Sequence, residues 1–148
     1  MTLPLNKINA LALVLIVVIL AAVFWSSLGS ARATARDAKR VKDVQYIQEA
    51  LKLYYNDNLG YPDVLMSGQE AKPDSSPCAD RRTQFSCYMP EYPRYPRPID
   101  GAECANYEHY TYAKLPLSEG GYRITFCLAA SAEGFPAGPH AGSANGIR

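Results

Sequence analysis

Sixteen consecutive apolar residues, 10–25, lie inside a stretch of 24 residues, 8–31, that carries no charge. No other feature of the chain limits its folding so strongly. Leu, Val and Ile dominate the run, and no Pro interrupts it. As a helix the uncharged stretch spans about 36 Å, enough to cross a hydrocarbon core of roughly 30 Å. Lipid is therefore the default environment, at least before any assembly step. The competing reading is a cleavable secretory signal, with Lys7 as its basic residue and Ala31-Arg32-Ala33 as an A-x-A site cut after Ala33. The run is long for such a signal, and Trp25 and Gly29 sit awkwardly before the cut. Set the run aside, and the rest of this 148-residue chain is polar and rich in Tyr and Pro. It supports only a small core, which rules out a large enzyme fold.

From residue 31 the pattern turns one-sided. Ala31, Ala35, Ala38, Val41, Val44, Ile47, Leu51 and Tyr54 recur at spacings of three or four, with Arg32, Arg36, Lys39, Arg40, Asp43, Glu49 and Lys52 on the opposite, solvated face. No turn cluster separates this segment from the apolar run. Residues 26–30, rich in Ser and Gly, are the weakest stretch, lowering helix propensity without forbidding it. The next stop is residues 56–62, where Asn and Gly act as caps and Pro62 lies beyond. The spacing thus predicts one helix of roughly 50 residues, about 75 Å long. The expected division is 1–30 as apolar helix half and membrane anchor, and 31–148 as the globular domain. The domain comprises an amphipathic helix half 31–58, a loop 59–106, and a sheet with tail 107–148.

Ten of the eleven Pro residues lie at positions 62–139. Residues 62–106 read as loop, with a turn cluster at 73–77 and an extended segment at 89–98, because each Pro biases its predecessor away from helix. Residues 107–114 and 122–128 read as strands joined by a hairpin turn at 118–121. Tyr122, Ile124, Phe126 and Leu128 share one face of the second strand, and Arg123, Thr125 and Cys127 the other. The last 15 residues, rich in Gly, Ala and Pro, either frame the sheet edge or fray. The fold class is therefore α+β: a long N-terminal helix packed on a small antiparallel sheet, loop-rich and disulfide-stapled. Cys78, Cys87, Cys104 and Cys127 suggest two disulfides in an oxidising compartment. Three pairings are open; Cys78–Cys87 with Cys104–Cys127 is favoured.

The net charge of +1 argues against a nucleic-acid partner. It hides an asymmetry: residues 1–42 carry six cations and one acid, for +5, and residues 43–148 nine cations and thirteen acids, for −4. Two positive charges before the apolar run (the amino terminus and Lys7) face five within about 15 residues after it, which places the C-terminal side in the cytoplasm by the positive-inside rule. The cysteines place it outside. The basic segment then needs another explanation, such as neutralisation inside an assembly.

Residues 28–40 (Leu28-Gly29-Ser30-Ala31-Arg32 through Arg40), then Gln45-Tyr46-Ile47-Gln48-Glu49-Ala50-Leu51, Leu53-Tyr54-Tyr55-Asn56-Asp57-Asn58 and Tyr61-Pro62, resemble the helix of bacterial type IV pilins and type II secretion pseudopilins. Tyr88-Met89-Pro90 with Pro98-Ile99-Asp100 resembles the loop before the sheet in that group, and residues 122–128 with the Gly-rich tail resemble its terminal strands. The resemblance implies a structural subunit, not an enzyme. Such a subunit is held in the inner membrane as a precursor and then polymerises with itself, through its apolar helix, into a filament at the cell surface. It also implies a prepilin peptidase and an assembly or secretion machine as partners. The usual Gly-Phe-Thr-Leu-Ile-Glu processing motif is absent, so Met1 or Leu5 is the possible mature start, with Leu5 or Asn9 where the family has Glu. A minor or tip subunit fits this departure.

The residues expected to form the filament core are Ala10, Leu11, Leu13, Val14, Val17, Val18, Leu20, Ala21, Phe24 and Trp25. The expected assembly charges are Arg32, Arg36, Asp37, Lys39, Arg40 and Asp43, with Asp37 or Asp43 of one copy near the basic segment of another. No phosphate loop, H-E-x-x-H or G-x-S-x-G motif occurs, and no cofactor is expected. His109 reads as an ordinary strand residue. Asp100 and Glu103 fall short of the six to eight oxygens that calcium takes, so no metal is expected either. The eleven Tyr read as core and interface filler. Two further function classes stand beside the filament subunit: a secreted, disulfide-stapled binding module, and a permanently anchored, small receptor-type domain.

Overall fold

The computed structural model describes residues 7–63, 65 and 85–148. One helix, α1, runs over Lys7–Asn58 and continues unbroken through Gly29, with Ser27 Oγ donating to the Val23 carbonyl at 2.9 Å. Four strands follow: β1 (Thr111–Lys114), β2 (Tyr122–Leu128), β3 (Gly138–Ser143) and β4 (Gly146–Ile147). They form one antiparallel sheet in the order β1-β2-β3-β4. Contacts divide the chain into two compact units, Met1–Ala33 and Thr34–Arg148.

Within the second unit the helix buries one stripe against the sheet. Val41, Val44, Ile47 and Leu51 are fully buried, at the three- and four-residue spacing that keeps them on one face. They share a core with Tyr122, Ile124, Phe126 and Leu128 from β2 and with Leu65, Met89, Tyr95 and Tyr110 from the loops. Each such aliphatic or aromatic side chain contributes on the order of 1.5–3 kcal/mol by leaving water. The helix and β3 meet at Gly142: a Cβ there would stand 2.8 Å from Val44 Cγ1. A close approach of backbone to a β-branched side chain leaves no room for anything but Gly.

Two sequence expectations need correction. First, Ala31 and Ala35 are exposed, whereas Asp37, Arg40 and Asp43, the last two read as solvated, are buried. The buried stripe continues toward the N-terminus in phase with Val41 and Val44, and that phase selects residues 37 and 40 whatever their polarity. Second, β1 begins at Thr111 instead of 107, because Tyr107 N donates to the Cys104 carbonyl at 2.9 Å and holds the preceding residues in a turn. The Gly-rich tail frames the sheet edge, one of its two expected outcomes, as the paired strands β3 and β4. On β2 Cys127 alternates with Phe126 and Leu128, as expected, and is as buried as they are because it is bonded to Cys104. The β1–β2 connection is also longer than a tight hairpin. It holds a short 3-10 turn, Leu117–Glu119, and then Gly120 and Gly121 at positive φ, the second lying under the Tyr61 ring where a Cβ would collide with it.

The helix stops at the expected place by an unexpected residue. Leu59, with φ of 54°, takes the left-handed position, and its N–H donates to the Tyr55 carbonyl at 2.8 Å. Asn58 Nδ2 caps the Tyr54 carbonyl at 2.9 Å.

Candidate functional site: an apolar helix surface and a buried charge cluster

The apolar half of α1 presents a largely exposed apolar surface. Every large apolar side chain of the run, from Leu11 at 71% to Trp25 at 81%, is more than half exposed; Leu13, Val14, Val17, Val18, Leu20 and Phe24 lie between them. Ala21 is exposed and Ala10 half-buried. A helix apolar on all sides needs lipid or other protein around it. This one is long and apolar enough to cross a membrane, and it also meets the description of a signal sequence. The possible start residues Met1 and Leu5 lie outside the described residues, as do the turn cluster at 73–77 and Cys78.

The charged half is built differently. Arg36 grips Asp100 with two parallel hydrogen bonds, Nε to Oδ2 at 2.6 Å and Nη2 to Oδ1 at 2.8 Å. The hydrogen bond from Arg36 holds the Asp100 carboxyl below its usual range, against the opposing effect of burial. Arg40 and Asp37 form a fully buried ion pair one helical turn apart. Asp37 also accepts the N–H groups of Ala129 at 3.2 Å and Ala130 at 2.8 Å, just beyond β2. Arg40 Nη2 donates to the Pro96 carbonyl at 3.2 Å, and its guanidinium lies 4.7 Å from the Tyr95 ring centre. Its Nε has no hydrogen-bond partner. Lys39 bonds Asp43 at 3.0 Å, and Asp43 accepts the Tyr110 hydroxyl at 2.8 Å. Burial raises the Tyr110 phenol, with the Asp43 carboxylate adding to the shift, so Tyr110 stays a neutral donor.

The cluster joins the helix to the disulfide. The Tyr95 hydroxyl donates to the Cys127 carbonyl at 3.0 Å and accepts the Cys127 N–H at 3.2 Å. Cys127 is bonded to Cys104, the expected pair, and both are fully buried. Cys87 is also disulfide-bonded. Its expected pairing with Cys78 falls outside the described residues.

Of the six residues named as assembly charges, the structure thus brings five together inside one domain and leaves Arg32 exposed. That answers much of the charge asymmetry: of the cations at 32, 36, 39, 40 and 42, three are paired with an acid of the same domain, and among the described residues Arg32 and Lys42 make no such pair. The acids Asp37 and Asp43 are occupied within their own copy.

Sequence reasoning missed the Tyr95 and Tyr110 hydroxyls and the role of His140. The His140 ring lies between Phe126 and Phe135, with Nε2 2.8 Å from the Pro136 carbonyl and Nδ1 3.1 Å from that of Arg148. The available signal was helical phase for Asp37 and Arg40; for the tyrosines, whose partners are far apart in sequence, there was none. Chemically the cluster can orient and anchor. Asp100 has both oxygens on Arg36, and Glu103 and His109 are exposed. Among the described residues, no three His, Cys, Asp or Glu side chains stand together as a metal site would need. Compared with known proteins, the chain matches no family model, no curated protein and no solved structure.

Proposed function

We propose that this chain is the structural subunit of an extracellular helical filament of the pilin or pseudopilin kind. In this reading the membrane holds it by α1 before assembly, and the same apolar surface polymerises it afterwards. The observation that carries the reading is the exposure of every large apolar side chain at positions 11–25 on a helix whose later part is packed on a sheet. Outside lipid, each would gain on the order of 1.5–3 kcal/mol by burial against copies of itself. Within lipid the gain is smaller, because lipid tails are already apolar. The antiparallel sheet and the Cys104–Cys127 disulfide agree with a domain displayed in an oxidising space.

A second reading, a binding domain released by cleavage after Ala33, draws on one observation: the compact unit begins at Thr34. The two separate in one experiment. Deleting residues 1–30 is expected to turn a membrane-fraction, polymer-forming protein into a soluble monomer. Filaments formed by the truncated chain would refute the helix-core reading, and a native N-terminus at Thr34 would favour the released module. Charge reversal to probe assembly belongs at Arg32, since reversing Arg36 or Arg40 would break contacts inside the domain.

A further inference from the structure

We infer that His140 is a pH-dependent clasp that holds the last strand, β4, on the sheet. The inference stands apart from the filament reading. The ring is buried beside its cross-strand neighbour Phe126, and each of its nitrogens meets a main-chain oxygen. Nε2 lies 2.8 Å from that of Pro136 and Nδ1 3.1 Å from that of Arg148. Both oxygens only accept, the second whether it is a carbonyl or a terminal carboxylate. A neutral imidazole has one N–H and serves one of them, turning a lone pair on the other; the imidazolium serves both. The ring centres of Phe126 and Phe135 lie 5.6 and 5.8 Å away, within the roughly 6 Å over which an aromatic ring attracts a cation. Burial opposes the charge, and these four contacts offset that cost.

Other ionisable groups on the elements around the ring leave its state to these contacts. Arg123 on β2, Glu103 on the 3-10 turn Ala102–Cys104, Glu133 between β2 and β3, and the Arg148 side chain are exposed. Asp37 and Arg40 on α1 are buried but bonded to each other, and Asp43 is bonded to Lys39 and Tyr110. Burial raises the phenols of Tyr95 and Tyr122, which stay neutral. Among the described residues, no carboxylate side chain pairs with His140. Loss of the proton leaves the ring one bond to make. The Nε2 contact is the shorter, and the Arg148 oxygen already accepts the Ala141 N–H at 3.0 Å. The neutral ring therefore keeps Nε2–H and sets its Nδ1 lone pair against the Arg148 oxygen. β4 is two residues long and meets β3 through the pairs Gly142–Ile147 and Ser143–Gly146, so this end contact weighs heavily in holding it. The clasp is closed in acid and open in base, and opening bares the edge of β3 at Ala141.

The test uses the full chain in detergent from about pH 5 to about pH 8, the range in which imidazole ordinarily changes charge. Nitrogen NMR of the His140 ring should show two N–H groups at the acid end and one, on Nε2, at the other. Amide exchange, corrected for its intrinsic pH dependence, should show Ala141 and Arg148 about ten- to hundred-fold less protected once the ring is neutral, the worth of one hydrogen bond to a charged group. Amides in the β1–β2 pairing, at the far side of the sheet, should keep their protection. His140→Gln, neutral throughout, should abolish the step. A step that survives His140→Gln overturns the clasp. So does a ring that holds one protonation state across the range with no step at Ala141 and Arg148; this reading is made on the unsubstituted protein and needs no variant to fold. A step at Ala132 and Phe135, with Arg148 unchanged, overturns the release of β4.

Discussion

The two halves of α1 share a backbone and need opposite surroundings. Beyond residue 33 the helix hides one stripe on a sheet, shows a polar face to water, and matches most of its cations with acids of its own domain. Before residue 26 it has neither stripe nor face: apolar side chains point in every direction and none of the large ones is covered. The first kind of helix is satisfied inside a monomer. The second becomes satisfied only by something outside it. The filament reading proposed above rests on this second half, the one whose apolar surface folding leaves exposed.

The sharpest test of the packed half removes a buried charge and an exposed one in turn. Arg40→Ala leaves Asp37 buried without its cation and is expected to destabilise the domain by about 3–5 kcal/mol. Arg32→Ala, at an exposed position, should stay within about 0.5 kcal/mol. Chemical denaturation followed by tyrosine fluorescence measures both, and equal effects would mean that the buried pair is not holding the domain. The matching apolar test uses one residue type in both halves. Ile47→Ala should cost the domain about 2–5 kcal/mol through the cavity it leaves. Ile16→Ala should leave the domain's unfolding unchanged and alter only partition between detergent and polymer. A domain melt shifted by Ile16→Ala would tie the two halves together energetically and end the distinction.

What the sequence made legible follows the same division. The apolar half could be read directly, because no tertiary contact interferes with its pattern. The helix end near Asn58, β2 and the Cys104–Cys127 bond were also legible, from Pro and Asn, from alternation in Tyr122–Leu128, and from the favoured pairing of four cysteines. β3 and β4 were legible only through the family resemblance of the Gly-rich tail, because strand propensity is carried by β-branched and aromatic residues, and contact with Val44 favours Gly at position 142. The charge cluster was half-visible. Helical phase puts Asp37 and Arg40 on the buried stripe, yet a charged residue is by default assigned to solvent, and the partners that make burial tolerable lie 56 to 93 positions away.

Two smaller changes sharpen the packed side of the comparison. Gly142→Ala drives a methyl against Val44 and should cost about 1–3 kcal/mol as overpacking. Adding Val44→Ala should recover part of that loss if the clash is the cause; no recovery would place the strain in the backbone of β3. The Arg36–Asp100 pair gives a pH signature. The Asp100 carboxyl is held below its usual value in the folded state, so its contribution is fully present above an unfolded carboxylate value of about 4 and is lost as pH falls through the folded one. Asp100→Asn should therefore flatten the acid limb of the stability profile and have its largest effect at neutral pH. An unchanged acid limb would show that the pair is screened by solvent.

The smallest effect concerns the residue that ends the packed half. Leu59 occupies a left-handed conformation, where its Cβ crowds the following carbonyl at a cost of about 1–2 kcal/mol for an L-residue. Its side chain is 81% exposed, so it recovers little of that cost by packing. Gly is the residue that helix ends of this geometry favour, and here Gly60 stands one position too late to supply it. Leu59→Gly relieves the crowding and gives up some chain stiffness in the unfolded state, for an expected net gain of about 0.5–1 kcal/mol. Asn should give a smaller gain, since it tolerates the conformation less well than Gly. The gain should appear as a higher unfolding midpoint of the domain with no change in membrane partition or polymer yield, because the change touches only the half of α1 that the domain itself satisfies. A loss of stability on Leu59→Gly would mean that the leucine side chain is covered in the native protein. Its cover would then have to come from another chain.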